Sequence, residues 1–105
     1  MKIVWSDPAV EDLESIHAYI LRDSERYARQ FVGRIIEAAE SLEALPRRGR
    51  QVPEARERTD VRELLFQSYR IIYRLETSRV LIVAVIHGSR NLAGIDPVPW
   101  ESPEG

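Results

Sequence analysis

Five polar side chains in the second half of the chain have types that could do chemistry: Arg62, Arg70, Tyr73, His87 and Arg90. A guanidinium group suits recognition of a phosphate or a carboxylate. A histidine or tyrosine beside such a group could donate or accept a proton. Together these side chains could hold a phosphate between arginines, with His87 or Tyr73 as the proton carrier.

Four of these residues also have an ordinary structural interpretation. A histidine at the end of a strand usually makes a structural hydrogen bond, and Tyr73 sits in an alternation typical of core packing. Arg70 and Arg90 could pair with an acidic side chain on the surface. The acidic candidates are Glu63, Glu76 and Asp96.

The composition excludes several classes of site. The 105 residues include no cysteine and two histidines, so thiolate chemistry is absent and a zinc site is not expected. There is no Gly-rich phosphate loop and no cofactor motif, so we expect neither a cofactor nor a metal. No apolar run approaches the ~20 residues that span a bilayer, and the N-terminus lacks a signal-peptide pattern. These features predict a cytoplasmic protein without membrane contact.

Charge is distributed unevenly around a total of −2. Residues 1–45 carry 5 basic and 9 acidic side chains, whereas residues 46–90 carry 10 arginines and 5 acidic side chains. Residues 91–105 carry 3 acidic side chains and no basic ones. The middle of the chain can therefore present a basic surface although the whole is slightly acidic. A nuclease that enters the ribosome would be expected to be basic overall.

The first half of the chain predicts a strand and two helices. Residues 3–5 are apolar, and Ser6 is a plausible N-cap for a helix that runs through Leu21. Ser24 caps a longer helix that continues to about Leu45. The connection is short, so the two helices should form an antiparallel hairpin.

The second half predicts three strands at residues 61–66, 69–75 and 79–87, joined by short turns. Hairpin geometry brings the start of the second of these strands close to the end of the third, so Arg70 and His87 should lie near each other. The order β-α-α-β-β-β predicts a two-layer α+β domain, with the helical hairpin packed on a small, mainly antiparallel sheet. We expect one domain over residues 1–94 and an irregular, acidic, proline-rich tail over residues 95–105.

The order and spacing of several short motifs resemble the RelE/ParE superfamily of bacterial toxins from type II toxin–antitoxin systems. The resemblance covers about residues 2–92. The motifs include Ile3-Val4-Trp5-Ser6, Pro53-Glu54, Arg62-Glu63-Leu64, Tyr69-Arg70-Ile71-Ile72-Tyr73 and Ile86-His87-Gly88-Ser89-Arg90.

The resemblance implies one of two activities. RelE-like members cut mRNA on the ribosome without a metal, and their arginines match Arg70 and Arg90, with His87 as an acid or base. Their lysines and late catalytic tyrosine have no counterpart here. ParE-like members inhibit DNA gyrase, and this plasmid-stabilisation branch is favoured. Arg62, Arg70, Tyr73 and Arg90 would then bind the target. A third alternative is a non-toxic interaction domain that retains only the fold.

A cognate antitoxin is the partner that the resemblance implies. In the family the antitoxin also binds operator DNA, so contact of the toxin with DNA is indirect. The strand at residues 79–87 is apolar on both faces, and Val32 and Ile36 widen the apolar stripe of the second helix. We therefore expect the antitoxin to contact Val32, Ile36, Leu81 and Val83.

Overall fold

The computed structural model describes residues 1–95 and 97–101. Strand β1 (Lys2–Trp5) leads into helices α1 (Asp7–Leu21) and α2 (Glu25–Glu40). A two-residue strand β2 (Arg50–Gln51) precedes β3 (Val61–Phe66), β4 (Tyr69–Leu75) and β5 (Arg79–His87). The three long strands lie where the periodicity predicts them, and β2 is an addition to the predicted order.

The five strands form one sheet in the order β1-β5-β4-β3-β2. Only β1 and β5 are parallel, and the other three pairs are antiparallel. The helical hairpin packs on this sheet, which confirms the predicted α+β architecture. No helix among the described residues has the length and apolar character that crossing a membrane requires.

Serine caps begin both helices. The Ser6 Oγ accepts a hydrogen bond from Ala9 N–H at 3.2 Å, and the Ser24 Oγ accepts one from Tyr27 N–H at 3.1 Å. Each cap satisfies an N–H group that the helix leaves without a partner, which is worth about 1 kcal/mol. Helix α2 ends at Glu40, earlier than predicted, and a 3-10 turn at Ser41–Glu43 continues it.

A β-bulge in β5 determines which side chains face the helices. Ile72 pairs with Ala84 but Tyr73 pairs with Ile82, so Val83 is the extra residue. Val80, Ile82 and Val85 join the cluster packed under the helices. The intervening residues join a second cluster on the opposite face.

The second face of the sheet is covered by the C-terminal part of the chain. Leu92 is buried there, and Trp100, in a 3-10 turn at Pro99–Glu101, is 4% exposed. The Arg74 Nη1 donates to the carbonyl of Trp100 at 2.6 Å and holds this turn in place. Part of the predicted tail is thus packed against the sheet, while Asp96 and residues 102–105 lie outside the described residues.

Candidate functional site

A surface groove of about 570 Å³ lies where the β3–β4 turn meets the end of β5. Antiparallel pairing places Tyr69 opposite His87 and Arg70 opposite Ile86, so the predicted proximity of Arg70 and His87 is observed. Both line this groove. The remaining lining residues are Arg50, Pro53, Glu54, Leu65, Gln67, Ser68, Tyr69, Gly88 and Ser89.

Arg70 is engaged by carboxylates on the floor of the groove. Its Nη1 and Nη2 donate to the two oxygens of Glu54 at 3.0 and 2.8 Å, and its Nε donates to Glu63 Oε1 at 2.6 Å. Only 6% of the residue is exposed. Arg70 therefore pairs with Glu63, one of the acidic partners that the structural interpretation named. The pair is buried, however, whereas that interpretation placed it on the surface.

The ion pairs change the proton affinity of Glu54. The hydrogen bonds from Arg70 lower the pKa of this carboxyl from 4.5 to about 2, against the opposing effect of burial. The same hydrogen bonds, which Arg70 donates to the Glu54 carboxylate, raise the pKa of Arg70. Glu54 therefore stays ionised at neutral pH and is a weak base.

Glu63 lies between two arginines. Its side chain is fully buried, and its second oxygen accepts from Arg50 Nε at 2.6 Å. Unlike Arg70, Arg50 has a side chain that is 57% exposed. The ion pairs form a continuous network that runs from Arg50 through Glu63 and Arg70 to Glu54. This network connects β2, β3, β4 and the loop that follows β2.

His87 is exposed at the rim of the same groove. Its ring packs edge-on against Tyr69, with the ring centres 5.6 Å apart. The Ser89 N–H donates to Nδ1 at 3.2 Å, and the Ser89 Oγ lies 2.7 Å from the same nitrogen. The Nε2 atom is the position from which His87 can exchange a proton with a bound molecule.

The side chain of Arg90 lines a different groove. That groove, of about 250 Å³, also includes Asp12 and lies between the start of α1 and the C-terminal segment. Asp12 accepts a hydrogen bond from Val85 N–H at 2.9 Å, and burial raises its pKa although Arg90 opposes the shift. Arg90 contributes only its backbone carbonyl to Arg70, at 3.3 Å. The predicted trio of Arg70, His87 and Arg90 is therefore divided between two grooves.

Tyr73 and Arg62 hold a loop together. The Tyr73 Oη accepts from Gly49 N–H at 2.9 Å and donates to the carbonyl of Pro46 at 3.0 Å. Arg62 Nη1 donates to the carbonyl of Gly49 at 2.8 Å. Tyr73 is fully buried, which raises its pKa, so the core-packing interpretation of this residue is the one observed.

The four residues assigned to antitoxin binding lie on opposite faces of the molecule. Val32 is partly buried and lines a groove of about 370 Å³ between α1 and α2, with Val10, Leu13, Glu14 and His17. Ile36 is partly buried against the core under the helices. Leu81 and Val83 are each 1% exposed, because the C-terminal segment covers the second face of β5.

Glu54 and Arg50 are the charged groove residues that were not predicted as candidates from the sequence. Glu54 stands in the quoted Pro53-Glu54 motif, but nothing in its local spacing connects it with Arg70 in β4. The two meet only because β2 and the turn at Pro53–Ala55 fold over the sheet. Within residues 1–95 and 97–101, no three histidine, aspartate or glutamate side chains come together in a way that could hold a metal.

Comparison with known families supplies the identification. The family model of the ParE toxin of the type II toxin–antitoxin system parDE matches residues 3–92. The chain belongs to this family. The match covers both helices and, apart from Lys2, all five strands.

Two solved structures share the fold of this ParE family member. One is the chromosomal ParDE system from P. aeruginosa, with 22% identity and a TM-score of 0.69 over 83% of this chain and 95% of that chain. The other is the RelBE2 toxin–antitoxin complex from Mycobacterium tuberculosis, with 21% identity and a TM-score of 0.62 over 82% and 95%. No curated protein matches the chain.

Proposed function

We propose that this ParE-family toxin acts in the cytoplasm by binding DNA gyrase and is neutralised by a cognate antitoxin. The choice of gyrase as the target rests on the ion pairs that Arg70 makes. Its guanidinium group is held by two carboxylates, so it is not free to take a phosphate. Action by binding to a protein fits this arrangement better than cleavage of RNA.

The charges of the groove support this proposal. Metal-free cleavage of RNA needs a base for the 2′-hydroxyl, an acid for the leaving oxygen and cations for the phosphate. A base with a pKa of about 2, such as Glu54, accepts protons poorly at neutral pH. Glu54 and Glu63 also neutralise the charges of Arg50 and Arg70, so the groove offers a phosphate little net positive charge.

The helical hairpin of this chain presents a surface suitable for binding the antitoxin. The groove between α1 and α2 is lined by Val10, Leu13 and Val32, and Val10 is 40% exposed. An apolar groove between two helices fits the apolar face of a partner helix. We therefore place antitoxin contact at Val32 and the adjoining Ile36 rather than at Leu81 and Val83, which another part of this chain already covers.

The target is tested with the purified toxin in two assays. We expect it to inhibit supercoiling of plasmid DNA by gyrase, and we expect its antitoxin to relieve the inhibition. In a translating extract we expect no cleavage of mRNA. Cleavage of mRNA together with unaffected supercoiling would contradict the proposal.

A second candidate function is ribosome-dependent cleavage of mRNA, favoured by the presence of Arg70, Glu54 and His87 in one groove. His87→Ala separates the two candidates, because His87 is exposed and its loss should not unfold the protein. The gyrase proposal expects undiminished growth arrest from this variant. The nuclease candidate expects arrest to be lost, with His17→Ala as the matched histidine control.

The remaining alternative is a domain that retains the fold and has no toxicity. Induction of the gene without an antitoxin gene tests it directly. Growth arrest is the result expected from a toxin. Normal growth, with the folded protein detected in the cells, would favour the interaction domain instead.

A further inference from the structure

The segment between the end of α2 and β2 presents an exposed basic and apolar surface. We call residues 44–49 the arginine loop. Leu45 is 60% exposed, and Arg47 and Arg48 are exposed beside it. A shallow groove of about 420 Å³ is lined by Ala44, Leu45, Pro46, Arg47 and Arg48.

Side chains of the sheet hold the arginine loop in one conformation. Tyr73 binds its backbone at Pro46 and Gly49, and Arg62 binds the carbonyl of Gly49. A Cβ atom at Gly49 would lie 2.5 Å from the Tyr73 Oη, so only glycine fits this approach. The loop is therefore organised before any partner arrives, which reduces the entropy cost of binding.

Positive charge at the loop is not neutralised by the surrounding side chains. Arg47 makes no ion pair with any carboxylate of the described residues, and Arg48 donates to the hydroxyl of Ser41. Beneath the loop, the Nε of Arg62 is buried and has no hydrogen-bond partner in the described part of the chain. Arg47, Arg48 and Arg62 all act to lower the pKa of Tyr73, against burial, so the three charges lie around its hydroxyl.

Most of the other arginines of the second half differ from these three. Arg50, Arg58, Arg70 and Arg74 each form an ion pair with a carboxylate of the same chain. An unneutralised guanidinium attracts an incoming anion more strongly than one already paired with a carboxylate. The arginine loop is thus a place where an anionic partner gains charge complementarity.

We propose that the arginine loop is a docking surface for an acidic segment of a protein partner that also carries an apolar side chain. Carboxylates of the partner would meet Arg47 and Arg48, and the apolar side chain would pack on Leu45 and Pro46. This inference goes beyond the proposed function and does not depend on gyrase being the target.

An acidic peptide fits the surface better than a nucleic acid does. An exposed leucine beside a proline offers nothing to a phosphate backbone but buries well under an aliphatic side chain. The chain as a whole carries a charge of −2, so a long polyanion that extends beyond the loop would meet repulsion. A short acidic segment interacts only with the positive charge of the arginine loop itself.

The test is a titration of the isotope-labelled full chain, followed by amide chemical shifts. The probe is a short synthetic peptide in which glutamates flank a leucine. We expect shifts concentrated in residues 44–49, and about tenfold weaker binding of a peptide with glutamine in place of glutamate. The double variant Arg47→Glu, Arg48→Glu should also bind the acidic peptide at least about tenfold more weakly.

The matched control is Arg26→Glu, Arg34→Glu, which makes the same change of charge on exposed positions of α2. It should bind the peptide as the unaltered chain does. The proposal is overturned if the peptide does not bind, if it shifts residues elsewhere, or if the control weakens binding as much as the loop variant. It is also overturned if a short DNA duplex shifts the same amides at a lower concentration than the peptide.

Discussion

The ion pair between Glu54 and Arg70 should contribute a measurable part of the stability, and Glu54→Gln tests this. The Arg70 hydrogen bonds lower the pKa of Glu54 from 4.5 to about 2, and only 17% of its side chain is exposed. A shift of this size corresponds to roughly 3 kcal/mol of stability at neutral pH. Removing one partner of a buried ion pair has a similar cost, about 3–5 kcal/mol.

The dependence on pH has a definite sign. Because the pKa of Glu54 is lower in the folded state, its stabilisation is complete above its unfolded pKa of 4.5. The stabilisation is then lost as the pH falls toward the folded pKa of about 2. The difference in stability between the unaltered chain and Glu54→Gln should therefore be largest near neutral pH and should shrink across this interval.

Urea unfolding followed by circular dichroism measures this difference. With a slope of about 1.5 kcal/mol/M, a loss of roughly 3 kcal/mol lowers the urea midpoint by about 2 M at neutral pH. Glu57→Gln is the control, because Glu57 is an exposed residue of the same loop and its replacement should change stability by less than about 0.5 kcal/mol. Equal midpoints at neutral pH, or a difference that persists unchanged in strong acid, would refute the reasoning.

Three further substitutions probe the supports of the arginine loop and the second face of the sheet, and a fourth, Gly33→Ala, is a control. Tyr73→Phe removes two buried hydrogen bonds and should cost about 1–3 kcal/mol in urea unfolding. Gly49→Ala places a Cβ 2.6 Å from the carbonyl of Glu63 and should cost about 2 kcal/mol, whereas Gly33→Ala, in an open part of α2, should gain up to about 1 kcal/mol. Trp100→Ala should lose about 3–5 kcal/mol by the same measurement, and a change under 1 kcal/mol would contradict its burial.

Periodicity predicted the long elements because each repeats its pattern several times. The three long strands and α1 have the predicted bounds, and both serine caps are where the sequence places them. A two-residue strand such as β2 has no period, and its pairing with Glu63 and Arg62 depends on the fold around it. Trp100 follows two prolines in a segment without a periodic pattern, so its packing against the second face could not be predicted from the sequence.

The candidate site was predicted in part for the same reason. Strand pairing follows from short turns, which is why the start of β4, with Arg70, could be placed beside the end of β5, with His87. The burial of Arg70 could not be read from the alternation in β4, which places it on the face away from the helices. That face is itself covered in three dimensions, and the carboxylate of Glu54 arrives from a distant loop.

The connections of Arg70 affect how mutational data on this toxin should be interpreted. Its guanidinium joins β4 to Glu63 of β3, to Glu54 of the loop and to the backbone at Arg90. Replacing it would leave Glu63 buried with Arg50 as its remaining ion-pair partner, so loss of toxicity in an Arg70 variant would follow from unfolding as readily as from lost chemistry. His87 is exposed and makes few contacts, so a change in toxicity on its replacement reports on function rather than on folding.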